Sequence, residues 1–550
     1  MAINCLIMSI KKIFILTICC LFTVGIAGCN LKDASGKDKK QIKTYTSFIG
    51  NTCQGISDNN RLQNVIAEKI GAKCDETWLE SSENVSDIVD KMIIADDYPD
   101  FLYVASEHQK LLDAGAYIPI DEYWDDYDNI KNFFPEEKWN RIRSDDGHIY
   151  IIPVFSSVYM YDTDTIHDDE AFWIQVKVLQ WAGYPEIQTL DDYFCVLEKY
   201  VEANPIAPDG TPNIAYEILT DGSMYFCLEN PPQFLDGYPN DGCCIVDPAT
   251  MEAKDYNTTP TAKKWFKKLN EEYQKGIVDP NCFVMTKEQY YDTLAQGNVL
   301  GMVDQRWDFA GVVAGLPAEC TYVPFGVVAD KSIEEHYHSE TALNYSEGIG
   351  ISVSCDDIKG AMKFLNDMLD PEILTLRYWG QKDIDYCVDE EGKFYLNDEQ
   401  TSNCADGQYL LDNMCNYSYF PHYKGMNQDE INAYSPEYQP YEFYKTLSPI
   451  MQECFSAYGV QTYVEMLNKS EESAPWFPMW SYSNTFTTET PHGQVKADMD
   501  EVKHEYLPRV IMSNDFEATW DEYMVAYNKR CDIKIYFDEL TNEIRRRTQN

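Results

Sequence analysis

Residues 42–50 read IKTYTSFIG, residues 59–71 NNRLQNVIAEKIG, residues 72–79 AKCDETWL, residues 86–99 SDIVDKMIIADDYP and residues 100–105 DFLYVA. The first, third and fifth stretches are short and carry the β-branched and aromatic residues that suit a pleated, half-buried surface. The second places Leu62, Val65, Ile66 and Ile70 at helical spacing and stops at Gly71, and the fourth is a second amphipathic run stopped at Pro99. Strand, helix, strand, helix, strand predicts a mostly parallel sheet with helical crossovers, an α/β layer. Ligands of such sheets lie off the carboxyl ends of the strands. The loops carrying Asn51, Ser106 and Glu107 are therefore the first candidate contacts.

Outward from this unit, the chain passes through a mostly helical middle that includes LDDYFCVLEKYVEAN and TPTAKKWFKKLNEEYQKG. Strand signals return around residues 288–307 and after 320, and DDIKGAMKFLNDMLD sets Ala361, Phe364, Leu365 and Met368 on one helical face. Residues 400–495 are loop-rich and dense in Tyr, Trp and Pro, before amphipathic helices expected over roughly 513–531 and 535–547. No repeat or low-complexity tract divides the body. Strand-bearing segments on both sides of a helical middle suit two lobes joined by more than one crossing.

The 550 residues are 44% hydrophobic and 25% charged, a folded globular profile. Lys and Arg number 44 against 91 acids, a formal charge of −47, and no basic face offsets it. Nucleic acid and other polyanions are thereby excluded as partners, while neutral or cationic ligands stay open.

Lys11 and Lys12 precede an uncharged apolar run from Ile13 to Ile26, shorter than the ~18–20 residues a bilayer span needs, so residues 1–28 read as an export signal. The run ends in Ile26-Ala27-Gly28-Cys29, which resembles the lipobox of bacterial lipoproteins, and that resemblance implies acylation of Cys29 and an anchor on the outer face of the cell membrane. Residues 29–41 then form a polar tether. The remaining cysteines show no CxxC pair, and Cys195, Cys282, Cys355 and Cys454 read as small buried apolar residues. In a strand, Cys243 and Cys244 would point to opposite faces and not share a partner.

Catalytic signatures are missing: there is no HExxH, GxSxG, P-loop or GxGxxG after a strand. The Glu334-Glu335-His336-Tyr337-His338 cluster reads as a solvated loop rather than a metal site, and Asp162 with Asp164 is an incidental pair in so acidic a chain. A glycosidase carboxylate pair is a tertiary property that spacing does not reveal.

Several blocks in series resemble the extracellular solute-binding proteins of carbohydrate ABC importers, the family that includes maltose-binding protein, and its larger lipoprotein members. They are YPDFLYVASEHQKLLDAGAYIPIDEYW (98–124), DGHIYIIPVF (146–155), GYPEIQTLDDYFCVLEKY (183–200), LAQGNVLGMVDQRW (294–307), the strand, helix and WGQKDIDY run of 347–388, and FEATWDEYMVAYNKR (516–530). The resemblance implies a two-lobe, periplasmic-binding-protein-like fold of type II with hinge-linked lobes and a helix-rich second lobe. Lobe I would take residues 42–154 and 325–370, lobe II residues 155–324 and 371–550. It also implies a monomer without cofactor or catalytic residue that hands an oligosaccharide to permease subunits. The other readings are a secreted carbohydrate-active hydrolase and a surface glycan-binding or sensor lipoprotein not coupled to transport.

By the same resemblance Trp307 matches an aromatic that lines the cleft, with Asp304 and Arg306 beside it, and Phe155 and Ser156 occupy the first crossing. Tyr225, Trp379, Trp476 and Trp480 complete the aromatic candidates, the last two in an unusual PWFPMW run. Sugar rings need such flat faces, with planar polar groups at the rim. Larger members carry an acidic calcium loop; here NPIAPDGTPNIAYE keeps only Asp209, Asn213 and Glu217 at loose spacing, so no metal is expected. Replacing Cys29 by Ser should release the protein from membranes into the medium with its fold intact, and its retention in the membrane fraction would refute the lipid anchor.

Overall fold

The computed structural model describes residues 42–548 apart from 53–54, 81, 105–106, 145, 155–163, 340–347, 428 and 471–472. The predicted βαβαβ unit is present: β1 (Lys43–Ile49), β2 (Ala72–Trp78) and β3 (Phe101–Tyr103) alternate with helices Arg61–Ile70 and Val85–Ala95. Asn60 caps the first helix by accepting from the Gln63 N–H, and Gly71 ends it with φ +81°, a left-handed turn that favours glycine. Strand β4 (Ile151–Pro153) follows in the same sheet.

Beyond it lie β5 (Glu170–Gln175), the β6–β7 hairpin (Ile245–Asp247, Glu252–Lys254), β8 (Gly301–Gln305), β9 (Tyr322–Phe325), β10 (Gly348–Ile351) and the β11–β12 hairpin (Cys387–Val388, Phe394–Tyr395). The first sheet has the order β2-β1-β3-β10-β4, with β1 parallel to both neighbours and β10 the antiparallel member. The second, β8-β5-β9, is antiparallel. Every residue of β5 is buried, so EAFWIQ is a central strand within the stretch expected to be helical.

The chain forms the two expected lobes on separate cores. In the first, Tyr45, Phe101 and Ile349 pack under the helix Ile358–Met368, whose buried face includes the predicted Ala361, Phe364, Leu365 and Met368. Phe48, Leu102 and Val89 fill the opposite side of that sheet. The second core gathers β5, β8 and β9 with Trp265, Phe266 and the helices Pro491–Met512, Phe516–Arg530 and Ile533–Thr548. The first of these three falls mostly between the stretch expected to be loop-rich, which ends at 495, and the helix expected from about 513.

The expected lobe boundaries need correction. Phe325, Val327 and Tyr337 belong to the second core, whereas Ile373, Leu374, Cys415, Tyr417, Phe420, Tyr423 and Tyr434 belong to the first. Lobe I therefore keeps the chain from β10 to about Tyr434. No strand signals this, because the added core is made of helix and loop. Among the described residues, core membership changes three times along the chain: after Val154, between Tyr337 and Ile349, and between Tyr434 and Phe443.

Arg377 fixes the added segment. Fully buried, it donates through Nε to the Asn416 carbonyl, through Nη1 to those of Met368 and Pro421, and through Nη2 to those of Tyr417 and Phe420, at 2.6–3.2 Å. All five guanidinium N–H groups are satisfied by backbone. Arg377→Ala should strip a buried donor from five carbonyls and lower stability by about 3–5 kcal/mol, the cost of breaking a buried charged network; a chemical-denaturation midpoint equal to that of the parent would show that the cage is dispensable.

Candidate functional site

In-register parallel pairing sets Ile49 beside both Trp78 and Tyr103, so the carboxyl ends of β1, β2 and β3 converge. Tyr419, from the loop held by Arg377, covers them: its ring centroid lies 4.5 Å from that of Tyr103 and 5.4 Å from that of Trp78. Val154, at the start of the first crossing, joins this cluster. Tyr103 is buried as its floor and Trp78 keeps part of its indole open. Asn51 is exposed and its Nδ2 donates to the Tyr419 hydroxyl, so the expected polar contact after β1 stands beside an aromatic patch. Glu107 opens the helix His108–Asp113 and is half-buried, 3.7 Å from Lys110.

The other end of the crossing enters β5. Because β5 and β8 run antiparallel, with Glu170 opposite Gln305, the start of one lies beside the finish of the other. Arg306 pairs with Asp168 at 2.8 Å and lies over the Tyr463 ring, and the Trp307 N–H donates to the Asp168 carbonyl. With Arg306 and its own backbone N–H tied down, Trp307 is 57% exposed. Contacts continue along this rim: Asn240 donates to Asp169, and the next residue, Asp241, accepts from the N–H groups of Met479 and Trp480, the latter 46% exposed. Trp476 is half-buried against the second core. The crossings touch at Thr165, whose hydroxyl donates to the Glu437 carbonyl and whose own carbonyl accepts from Tyr463.

The rim is acidic. Burial pushes the carboxyls of Asp169 and Glu437 up, and the hydroxyl of Tyr438 rises through burial reinforced by Glu437, Asp164 and Asp168.

Three expected contacts are directed elsewhere. Asp304 is 0% exposed: Tyr290 donates to its Oδ2 at 2.6 Å and the Gln305 N–H to its Oδ1, and burial pushes its carboxyl to about 7. It is the inward neighbour in the strand alternation that turns the chain toward Trp307. Trp379 is 2% exposed, packs on Tyr386 and Phe394, and gives its indole N–H to the Ala433 carbonyl. Tyr225 stacks on His504 with centroids 3.6 Å apart, so its face is already occupied within lobe II. Ser106, Phe155, Ser156 and Cys29 lie outside the described residues.

Trp78, Tyr103 and Tyr419 were not anticipated. The first two are legible in hindsight as aromatics ending parallel strands, while Tyr419 arrives from a distant loop. Of the loop set aside as calcium-poor, Asp209 accepts from Thr211, Asn213 donates to the Asn204 carbonyl, and Glu217 is buried beside Asp279. Glu335 accepts from the N–H groups of Tyr337 and Asn468, and His338 lies edge-on to His167. Among the described residues no helix is long and apolar enough to cross a membrane.

Residues 78–384, more than half of the chain, match the model of a family described as bacterial extracellular solute-binding protein. Among solved structures, an HMO-binding, ABC-transporter-associated solute-binding protein from Bifidobacterium longum infantis superposes with a TM-score of 0.61 at 13% identity, over 91% of this chain and 98% of that one. The S. pneumoniae ABC-transporter substrate-binding protein FusA, as an EF-hand mutant in complex with fructo-nystose, gives 0.59 at 14% identity over 92% and 100%. The N-glycan transport solute-binding protein NgtS from Streptococcus pneumoniae gives 0.51 at 14% identity over 92% and 99%. At these identities the likeness concerns the fold. No curated protein matches the sequence closely.

Asp304 also yields a pH signature. Its carboxyl ionises near 3.8 in the unfolded chain and near 7 in the folded one, so the folded state holds the extra proton between those values and the group's contribution to stability falls as pH rises through that window. In Asp304→Asn the Tyr290 hydroxyl can turn to Met302 Sδ, 3.2 Å away, and the variant should gain stability relative to the parent from pH 4 to pH 7. Parallel denaturation curves whose difference does not change over that range would count against it.

Proposed function

As the chain belongs to the family of bacterial extracellular solute-binding proteins, we propose that it captures a neutral extracellular oligosaccharide between its lobes and delivers it to the permease subunits of an ABC transporter. The observation that carries this reading is the pair of aromatic groups at the two ends of the first crossing: the half-buried Trp78, packed on the buried Tyr419, on lobe I, and the exposed Trp307 on lobe II, with Trp480 farther along the same rim. Indole and phenol faces bind the C–H side of a pyranose, and Asn51 and the Asp168–Arg306 pair supply planar polar groups for its hydroxyls. Asp164, Asp168, Asp169 and Glu437 around the crossings would repel an anionic glycan, which favours a neutral one. Structural neighbours whose described ligands are HMO and fructo-nystose fit the same class.

Binding draws the lobes together about the three crossings, so capture is a hinge closure in which each lobe contributes one stacking face. The protein performs no chemistry on the sugar. It acts as an exported lipoprotein, held on the outer face of the membrane through Cys29 close to its permease, and carries neither cofactor nor catalytic residue.

A thermal-shift panel of neutral oligosaccharides tests the reading, since a ligand bound only by the folded state raises the midpoint by mass action. No rise with any member, or turnover of one, would overturn it. With a hit in hand, Trp307→Ala should weaken binding by about 2–4 kcal/mol, roughly 30-fold to 1,000-fold, by analogy with aromatic hot spots. Its melting midpoint should stay at the parental value because the side chain is largely in solvent. Preserved affinity would remove Trp307 from the site.

A further inference from the structure

Cys243 and Cys244 do not sit in a strand. They occupy a bend before β6, and there their Sγ atoms and a carboxylate oxygen of Asp241 all lie within 4.8 Å of one another. Among the described residues this is the one group of three or more His, Cys, Asp or Glu side chains so arranged. Asp241 and Cys244 are buried and Cys243 is half-buried.

We propose that Asp241, Cys243 and Cys244 form a binding site for a thiophilic d10 cation of the Zn2+ or Cd2+ type. Two sulfurs and one oxygen at this spacing are three corners of a tetrahedron around such an ion, and a water or incoming group completes it. The existing hydrogen bonds do not stand in the way. Those from Met479 and Trp480 hold Asp241 Oδ1, and the third, from the Cys243 thiol 3.4 Å away, is the one that gives way to the ion when that thiol loses its proton.

On binding, each thiol loses its proton to solvent and the two S–H donors become two S–metal bonds, with no change of oxidation state. Two thiolates and a carboxylate around a dication leave one net negative charge. Two cations face it: Arg547, which donates to the carbonyls of Trp476 and Pro478, acts on Asp241, and Lys496 lies within electrostatic reach of Cys243. The ion would fasten the 241–244 bend to the turn that presents Trp480, because Asp241 grips both. This site is independent of the sugar reading.

The full-length protein, reduced and metal-free, is titrated with Cd2+ and followed by thiolate-to-metal charge-transfer absorption. One equivalent should bind, Zn2+ should displace it, and Cys243→Ser combined with Cys244→Ser should weaken binding by at least about 100-fold. Asp241→Asn should retain the absorption but bind about 10-fold more weakly. A folded double variant, by circular dichroism, that binds as tightly as the parent would overturn the site, as would a parent that binds no ion. The wild-type chain supplies a second measurement that does not depend on the variants folding. Zn2+ should protect Cys243 and Cys244 from alkylation, read by peptide mass spectrometry, and equal labelling with and without Zn2+ would also overturn the proposal.

Discussion

A single buried cation organises lobe I. Arg377 has no carboxylate partner at hydrogen-bond distance among the described residues; its charge is solvated by five carbonyl dipoles drawn from the end of helix Ile358–Met368 and from residues 416–421. Carbonyls point inward from that loop because its backbone folds back on itself, with Tyr417 held at φ +50°, a left-handed conformation that a tyrosine adopts at a cost of about 1–3 kcal/mol. The guanidinium offsets that strain, and the consequence reaches the site. The same loop sends Tyr417 and Phe420 into the core and Tyr419 over the strand ends. Without the cage there would be no lid on Tyr103 and no partner for Asn51.

Lobe II solves its burial problem differently. With β5 covered on both faces, its buried acids are satisfied inside, some by ion pairs such as Lys503–Glu229 and others by neutral donors. Glu170 accepts from Asn230, whose own carbonyl oxygen accepts from Tyr256, and Asp304 accepts from Tyr290. Desolvation pushes both carboxyls upward, so these interior acids resist ionisation. The charge of −47 is therefore carried mainly at the surface and around the crossings. An ionised ligand of the same sign meets that field at the rim before it reaches any aromatic face.

The two solutions meet at the crossings. Thr165, Glu437 and Tyr463 tie two connecting segments together within a short distance of Trp307, while Val154 ends the first lobe inside the aromatic cluster. Each lobe thus keeps its own core and brings aromatic side chains to the described ends of the crossings. A hinge needs this arrangement, since a continuous core would forbid relative motion of the lobes.

Local pattern was enough to specify the βαβαβ unit, the helix Ile358–Met368 and two of the long C-terminal helices, because periodicity and caps are properties of consecutive residues. Order along the chain carried the family resemblance. Trp307 was singled out by its match to a family aromatic that follows a strand, and the structure leaves it exposed. Other features were decided only by tertiary contacts. Asp304 and Trp379 look like rim residues in sequence, yet burial is fixed by what packs on them from residues 290 and 386–394. Tyr419 reaches the site from more than three hundred residues beyond β3, and lobe I extends to Tyr434, because the carbonyls that hold Arg377 are backbone groups common to every residue type and leave no mark in the amino-acid sequence.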